Sequence, residues 1–258
     1  MTNFATFIKR YALSWAMVLC VRLSLAFALG VLFGPALAAI IVTAVIEGRA
    51  GVKALLARAV QWRVGWQWYD IAIGLPVFVA LFAVIANKLL GGQMPADASG
   101  SLDLTMTLAL LVVGEELGWR GFALPRLQAR HSSLVASLIL GALWACWHLA
   151  NATILGLGYY LTAFPAFLLY VLTMSVLFTW IANHTHDSVL LSWLFHAAGN
   201  VSGALFFIGD QSRQWWLSGA GFALLVLIVV AVVGPNLARQ AVQPLAPAAQ
   251  LGDAIIQK

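Results

Sequence analysis

The chain has 258 residues, of which 62% are hydrophobic and only 9% charged, and its mean hydropathy is +0.93. Soluble domains carry about 25% charged residues, so a water-soluble fold would have to bury several all-apolar helices in one small core; an all-α, polytopic transmembrane bundle needs no such arrangement. The net charge of +5 is scattered between apolar runs rather than gathered on one polar face, which excludes a nucleic-acid surface and makes the basic residues a topology signal.

From the N-terminus, Lys9 and Arg10 precede an apolar run that extends to residue 46. Arg22 within that run, and the further spans after it, argue against a cleaved signal peptide. As one helix, residues 11–46 would be about 54 Å long at the helical rise per residue, too long for one crossing. Gly30, Gly34 and Pro35 predict a break there, with spans at 11–29 and 34–47. Residues 49–69 mix Arg49, Lys53, Arg58 and Arg63 with Trp62, Trp66 and Trp68, which suits a helix or turn in the headgroup layer with tryptophan anchors. An ordinary basic loop would read the same way.

A crossing needs about 20 apolar residues. Further spans are predicted at 70–90, 102–124, 134–153, 162–182, 188–208 and 215–234, for about eight in all. Residues 91–101 form a Gly/Pro/Ala-rich loop, and Trp215 and Trp216 read as anchors on its side of the membrane. The chain divides into 1–69 (two spans and a basic interfacial segment), a core over 70–234 and a tail over 235–258. With an even number of spans, one side receives Lys9, Arg10, Arg49, Lys53, Arg58, Arg63, Arg126, Arg130, Arg239 and Lys258, and the other only Lys88 and Arg213. The bias puts both termini in the cytoplasm of a multi-pass protein of the cell inner (cytoplasmic) membrane. Cys20 and Cys146, both in apolar runs, make no disulfide framework.

Three spans carry polar residues that lipid would not tolerate. An ionised residue at a helix centre costs about 2.5–3.5 kcal/mol, so buried Glu115, Glu116 and Arg120 must pair, face the bundle or meet water, and by default mark a functional site. Glu116 and Arg120, at i, i+4, share a helix face and can pair. Glu115 is turned about 100° away and is left over. A structural salt-bridge cluster would account for the motif as well. His148 lies in the next span one turn after Trp144, and His196 in a later span with Asn200 at i+4 on its face. A lone helical histidine is commonly a hydrogen-bonded core residue, but these three helices present their polar groups at similar depth.

A carboxylate and a histidine can hold and deprotonate a water. A second histidine and an amide can donate to the oxyanion formed when that water attacks a carbonyl. The same Glu115, His148 and His196 could instead bind zinc, although no HExxH is present.

At these residues the chain resembles the CAAX-processing and bacteriocin-processing (CPBP/Abi, CAAX prenyl protease 2-like) intramembrane proteases. That family is marked by EExxxR, FxxxH and HxxxN, here Glu115-Glu116-Leu-Gly-Trp-Arg120, Trp144-Ala-Cys-Trp-His148 and His196-Ala-Ala-Gly-Asn200, in the same order on separate spans. The resemblance covers residues 102–205. It implies an endopeptidase with Glu115 as general base, His148 holding the water, His196 and Asn200 supporting the oxyanion, and Glu116 and Arg120 orienting the site. Trp119 and Trp144 are expected to line the substrate path. Trp144 stands where the family often has Phe, from which a change of packing alone is expected. No cofactor is favoured, with zinc as the alternative. The partners implied are the bilayer and a peptide or lipidated-protein substrate, not nucleic acid. Relatives linked to bacteriocin immunity or scaffolding leave a non-catalytic role open, and buried Glu and His also mark proton-coupled transporters.

The remaining polar residues read as structural. Asp187 or Ser188 is expected to cap a helix rather than join His184 and His186 in a metal site. Asp97 and Asp103 read as loop or cap residues, Asn151 and Asn183 as backbone partners near span ends, and Arg126 and Arg130 as topology determinants.

Overall fold

The computed structural model describes residues 24–94, 112–155 and 159–238, with side chains from residue 33 onward except at 151–159. Apolar segments in lipid must satisfy every backbone N–H and C=O internally, and among the described residues the outcome is helix without strand. The elements are α1 (Ser24–Ala59), α2 (Gln67–Leu89), α3 (Val113–Glu116), a π-helical segment (Leu117–Ala123), α4 (Leu124–Gln128), α5 (Ser133–Leu155), α6 (Tyr159–Thr162), α7 (Phe164–His184), α8 (Val189–Leu205) and α9 (Gln211–Val233). Five helices are long and apolar enough to cross a membrane, within α1, α2, α5, α7 and α9, and α8 is a shorter apolar helix. The chain is a multi-pass helical membrane protein.

Two expectations need correction here. The break predicted at Gly30, Gly34 and Pro35 is absent: α1 runs through Pro35, and the two spans placed at 11–29 and 34–47 share one helix over the described part. A break in mid-bilayer would strand backbone polar groups in lipid, whereas one proline removes a single donor. The discontinuity falls instead at Gly48 (φ 66°, ψ −161°), a conformation that glycine adopts without steric cost. Residues 1–23 lie outside the described residues. The span placed at 102–124 is also no simple α-helix, because 117–123 is wound as a π-helix; its first part, with Asp103, and the loop with Asp97 lie outside the described residues.

Helix α5 packs on α7, α7 on α9, and α8 on α2, while α1 lies along the π segment. One end of this bundle is laced together. Arg126 pairs with Glu47, the Arg58 guanidinium donates to the Gly121 carbonyl at 2.6 Å, and Ser188 Oγ donates to the Gln61 carbonyl at 2.6 Å. Asn183 Nδ2 donates to the Leu237 carbonyl at 3.1 Å, Gln128 Nε2 donates to both Ser133 Oγ and Asn183 Oδ1 at 2.9 Å, and Leu134 N–H reaches Pro235 O at 2.9 Å. Ser188 also caps α8 by accepting from Leu191 N–H, as its position predicts. The side chain of Asn151 is not among those described.

The tryptophans divide. Trp62 and Trp66 are exposed, as anchors would be, but Trp68 turns inward, stacked on His184 at 4.6 Å and edge-on to Trp180 at 5.0 Å. At the other end Trp216 is exposed, whereas Trp215 is only 7% exposed and packs on Tyr160 and Phe167 at 5.0 and 4.8 Å. Adjacent helical residues point about 100° apart, so of the pair at 215–216 only one can face lipid.

Candidate active site

The EExxxR motif straddles the junction of α3 and the π segment. A π turn accommodates an extra residue by closing i→i+5 bonds, here from Leu124 N–H to Trp119 O, and such turns occur mostly at functional sites. The segment lies hard against α1: a Cβ on Gly118 would come within 2.4 Å of Pro35 Cβ and 2.5 Å of the Pro35 carbonyl carbon, so only glycine fits there.

The two adjacent acids have different fates. Glu116 is fully buried and faces Arg120, whose Nη1 donates to its two oxygens at 2.8 and 3.1 Å. The Arg120 guanidinium is held between aromatic faces, with Cζ 3.6 Å from the Phe178 centroid and 4.3 Å from that of Trp144. Glu116 Oε1 also meets His196 Nδ1 at 2.8 Å. A carboxylate oxygen accepts, so Nδ1 carries the proton and Nε2 is the atom His196 offers elsewhere. Glu115 takes no part in this network. Its Oε2 accepts from Trp144 Nε1–H at 3.0 Å, and Oε1 has no hydrogen-bond partner among the described residues. Trp144 thus supplies a hydrogen bond that phenylalanine cannot, which corrects the expectation that it alters packing alone.

His148 Nδ1 lies 2.9 Å from the Trp144 carbonyl. A carbonyl cannot donate, so this nitrogen bears the hydrogen and Nε2 keeps its lone pair. The ring sits among Trp144, Trp147, Phe167 and Tyr160. Glu115, His148, His196 and Asn200, from three stretches of chain, line one cavity of about 500 Å³. Glu116 and Arg120 stand behind its wall and do not line it.

Trp144 lines the cavity, but Trp119 does not; it is 4% exposed and packs edge-on to Trp147 at 6.1 Å. The cavity extends away from the laced, basic end. Its lining runs from Glu115 and His148 past Tyr160 and Phe167 to Phe207, Gln211 and Trp215, at the opposite end, and includes no residue of the turns at 129–133 or 184–188. Sequence reasoning missed Tyr170, Gln214 and Ser218 on the wall. The signal was present: Gln211, Gln214 and Ser218 recur at helical spacing on one face of an otherwise greasy span.

Among the described residues no group of three or more His, Cys, Asp or Glu is arranged to hold a metal ion.

Comparison with known proteins falls on the same segment. Residues 98–202 match the family described as type II CAAX prenyl endopeptidase Rce1-like. The CAAX prenyl protease 2 of Methanococcus maripaludis is similar over 157 residues at 29% identity, covering 52% of this chain and 55% of that protein. The chain thus spans about half the length of this curated relative. The stretch that carries all three motifs is thus similar to the CAAX prenyl endopeptidases.

Proposed function

We propose that the protein is an integral membrane endopeptidase that hydrolyses a peptide bond with a water activated by Glu115 and His148. The observation that carries this reading is the division of labour between adjacent acids: Glu116 is consumed by Arg120 and His196, while Glu115 faces a cavity shared with two histidines and an amide. A water held between Glu115 Oε1 and His148 Nε2 gives its proton to the carboxylate as its oxygen attacks the carbonyl carbon. Asn200 Nδ2 donates to the resulting oxyanion, as does His196 Nε2 when that ring is doubly protonated. The proton taken by Glu115 is then passed to the leaving amine as the C–N bond breaks. Glu116 and Arg120 act through His196 by fixing its ring.

The substrate is a membrane-associated peptide or lipidated protein, in keeping with the name of the Methanococcus relative, a CAAX prenyl protease. The membrane is the cell membrane, with the basic end of the bundle and the C-terminus in the cytoplasm. The reaction needs no metal, since carboxylate, imidazole and amide suffice for activation and oxyanion support.

The test is hydrolysis of a peptide library by detergent-purified protein and its Glu115→Gln variant, with and without a chelator. Loss of cleavage in the variant at unchanged thermal stability supports the reading. Equal cleavage by both proteins would remove Glu115 from the mechanism, none by either points to the scaffold or immunity role, and loss of activity with the chelator would overturn the metal-free mechanism.

A further inference from the structure

Residues 49–69 hold four basic residues and no acid. Beyond the kink at Gly48, residues 49–59 continue α1 for about 16 Å at the helical rise. The inward face of this stretch is seated on the π segment that carries Arg120: Leu55 is buried against Leu117, Phe122 and Val189, and the Arg58 guanidinium donates to the Gly121 carbonyl. The outward face has no such seat. Arg49, Lys53 and Leu56 recur at i, i+4 and i+7 and are exposed, and exposed Val60, Trp62, Arg63 and Trp66 follow past the helix end. Arg49, Lys53 and Arg63 have no ion-pair partner among the described residues, because Glu47, two residues before Arg49, is taken by Arg126 and Asp70 pairs with none of them.

We propose that this outward face binds the headgroups of anionic phospholipids in the leaflet at the basic end, and that lipid bound there braces the π segment. Unpaired cations alone would suit any anion. Here Leu56, Val60, Trp62 and Trp66 stand among them, each 45–76% exposed. That mixture fits the boundary between headgroups and acyl chains, where indoles settle and the stems of Lys and Arg lie along apolar groups while their charged ends reach phosphate. Arg63 is held over Trp62, with Cζ 5.3 Å from the ring centroid, which sets the guanidinium at the depth of the indole. A free anion or an acidic soluble protein would use the charges and leave Leu56, Val60 and Trp66 in water. Each basic residue near an anionic surface strengthens the attraction about fivefold, and three together on the order of a hundredfold. Lipid that immobilises the outward face also immobilises Leu55 and Arg58 on the same short helix, and through them Gly121, next to Arg120.

The experiment is titration of the detergent-purified full chain with phosphatidylglycerol or phosphatidylcholine, with bound lipid counted by native mass spectrometry. Phosphatidylglycerol is expected to bind about tenfold or more tighter than phosphatidylcholine. The preference should disappear in the triple variant Arg49→Gln, Lys53→Gln, Arg63→Gln, whose altered side chains are all exposed, and persist in Lys88→Gln at the opposite end. Equal affinity of the unaltered chain for the two lipids overturns the site without recourse to any variant. So does a preference that survives in the triple variant or is lost equally in Lys88→Gln. Displacement of phosphatidylglycerol by inorganic phosphate would make this a free-anion site and overturn the lipid assignment. The brace is read by hydrogen exchange in nanodiscs of either lipid. Amides of residues 117–128 should exchange more slowly in phosphatidylglycerol than in phosphatidylcholine, and the difference should vanish in the triple variant. Equal exchange in the two lipids overturns the brace. Neither measurement depends on cleavage, so both stand whether or not the chain hydrolyses peptides.

Discussion

The laced end and the hollow end of this bundle are made from the same greasy helices, yet they spend their polar residues differently. At the laced end Gln128, Ser133, Asn183 and the 235–237 backbone are hydrogen-bonded to one another. At the hollow end Glu115, His148 and His196 each keep one atom on a protein partner and, with Asn200, line open space. Polar groups turned into a shared cavity therefore mark the candidate site better than polar groups as such.

Adjacent acids give the strongest way to break this contrast. Glu115→Gln should lower peptide hydrolysis by about 10²–10⁴-fold, the usual worth of general acid–base catalysis, with little change in melting temperature. Glu116→Gln should do the reverse in kind. Leaving the Arg120 charge buried without its partner costs about 3–5 kcal/mol, read as a fall in thermal stability or in yield from the membrane.

Smaller changes sharpen it. Gly118→Ala drives a methyl group into the backbone of α1 and should cost about 1–3 kcal/mol as an overpacked contact, measured by thermal unfolding in detergent. Trp144→Phe keeps the ring beside Arg120 and both histidines but deletes the donor to Glu115 Oε2. A hydrogen bond to a charged group is worth about 1.5–3 kcal/mol, so kcat should fall about tenfold or more with KM little changed. The smallest effect belongs to the laced end. Asn183→Ala should cost about 1 kcal/mol for each hydrogen bond lost and leave kcat unaltered, as single-turnover cleavage would show.

Much of this was legible in the chain. Composition alone gave a polytopic helical bundle, and the 3.6-residue repeat sorted Glu116 toward Arg120 and away from Glu115, which is what the hydrogen bonds show. Helix ends were harder. Glycine and proline signals are calibrated on water, where a freed backbone group finds a solvent partner; in lipid it does not, so α1 ignores Pro35 and bends at Gly48. Nothing in the local sequence announces the π turn, which arises where Gly118 must meet Pro35 of another helix.

Trp144 carries one last consequence. With its indole N–H fixed on Oε2, the Glu115 carboxylate cannot spin freely between two equivalent faces. Oε1 is the oxygen without a protein partner among the described residues, so the proposed base would take its proton there, from the side away from the indole, and a peptide threaded in the opposite polarity would offer its carbonyl to the wrong flank.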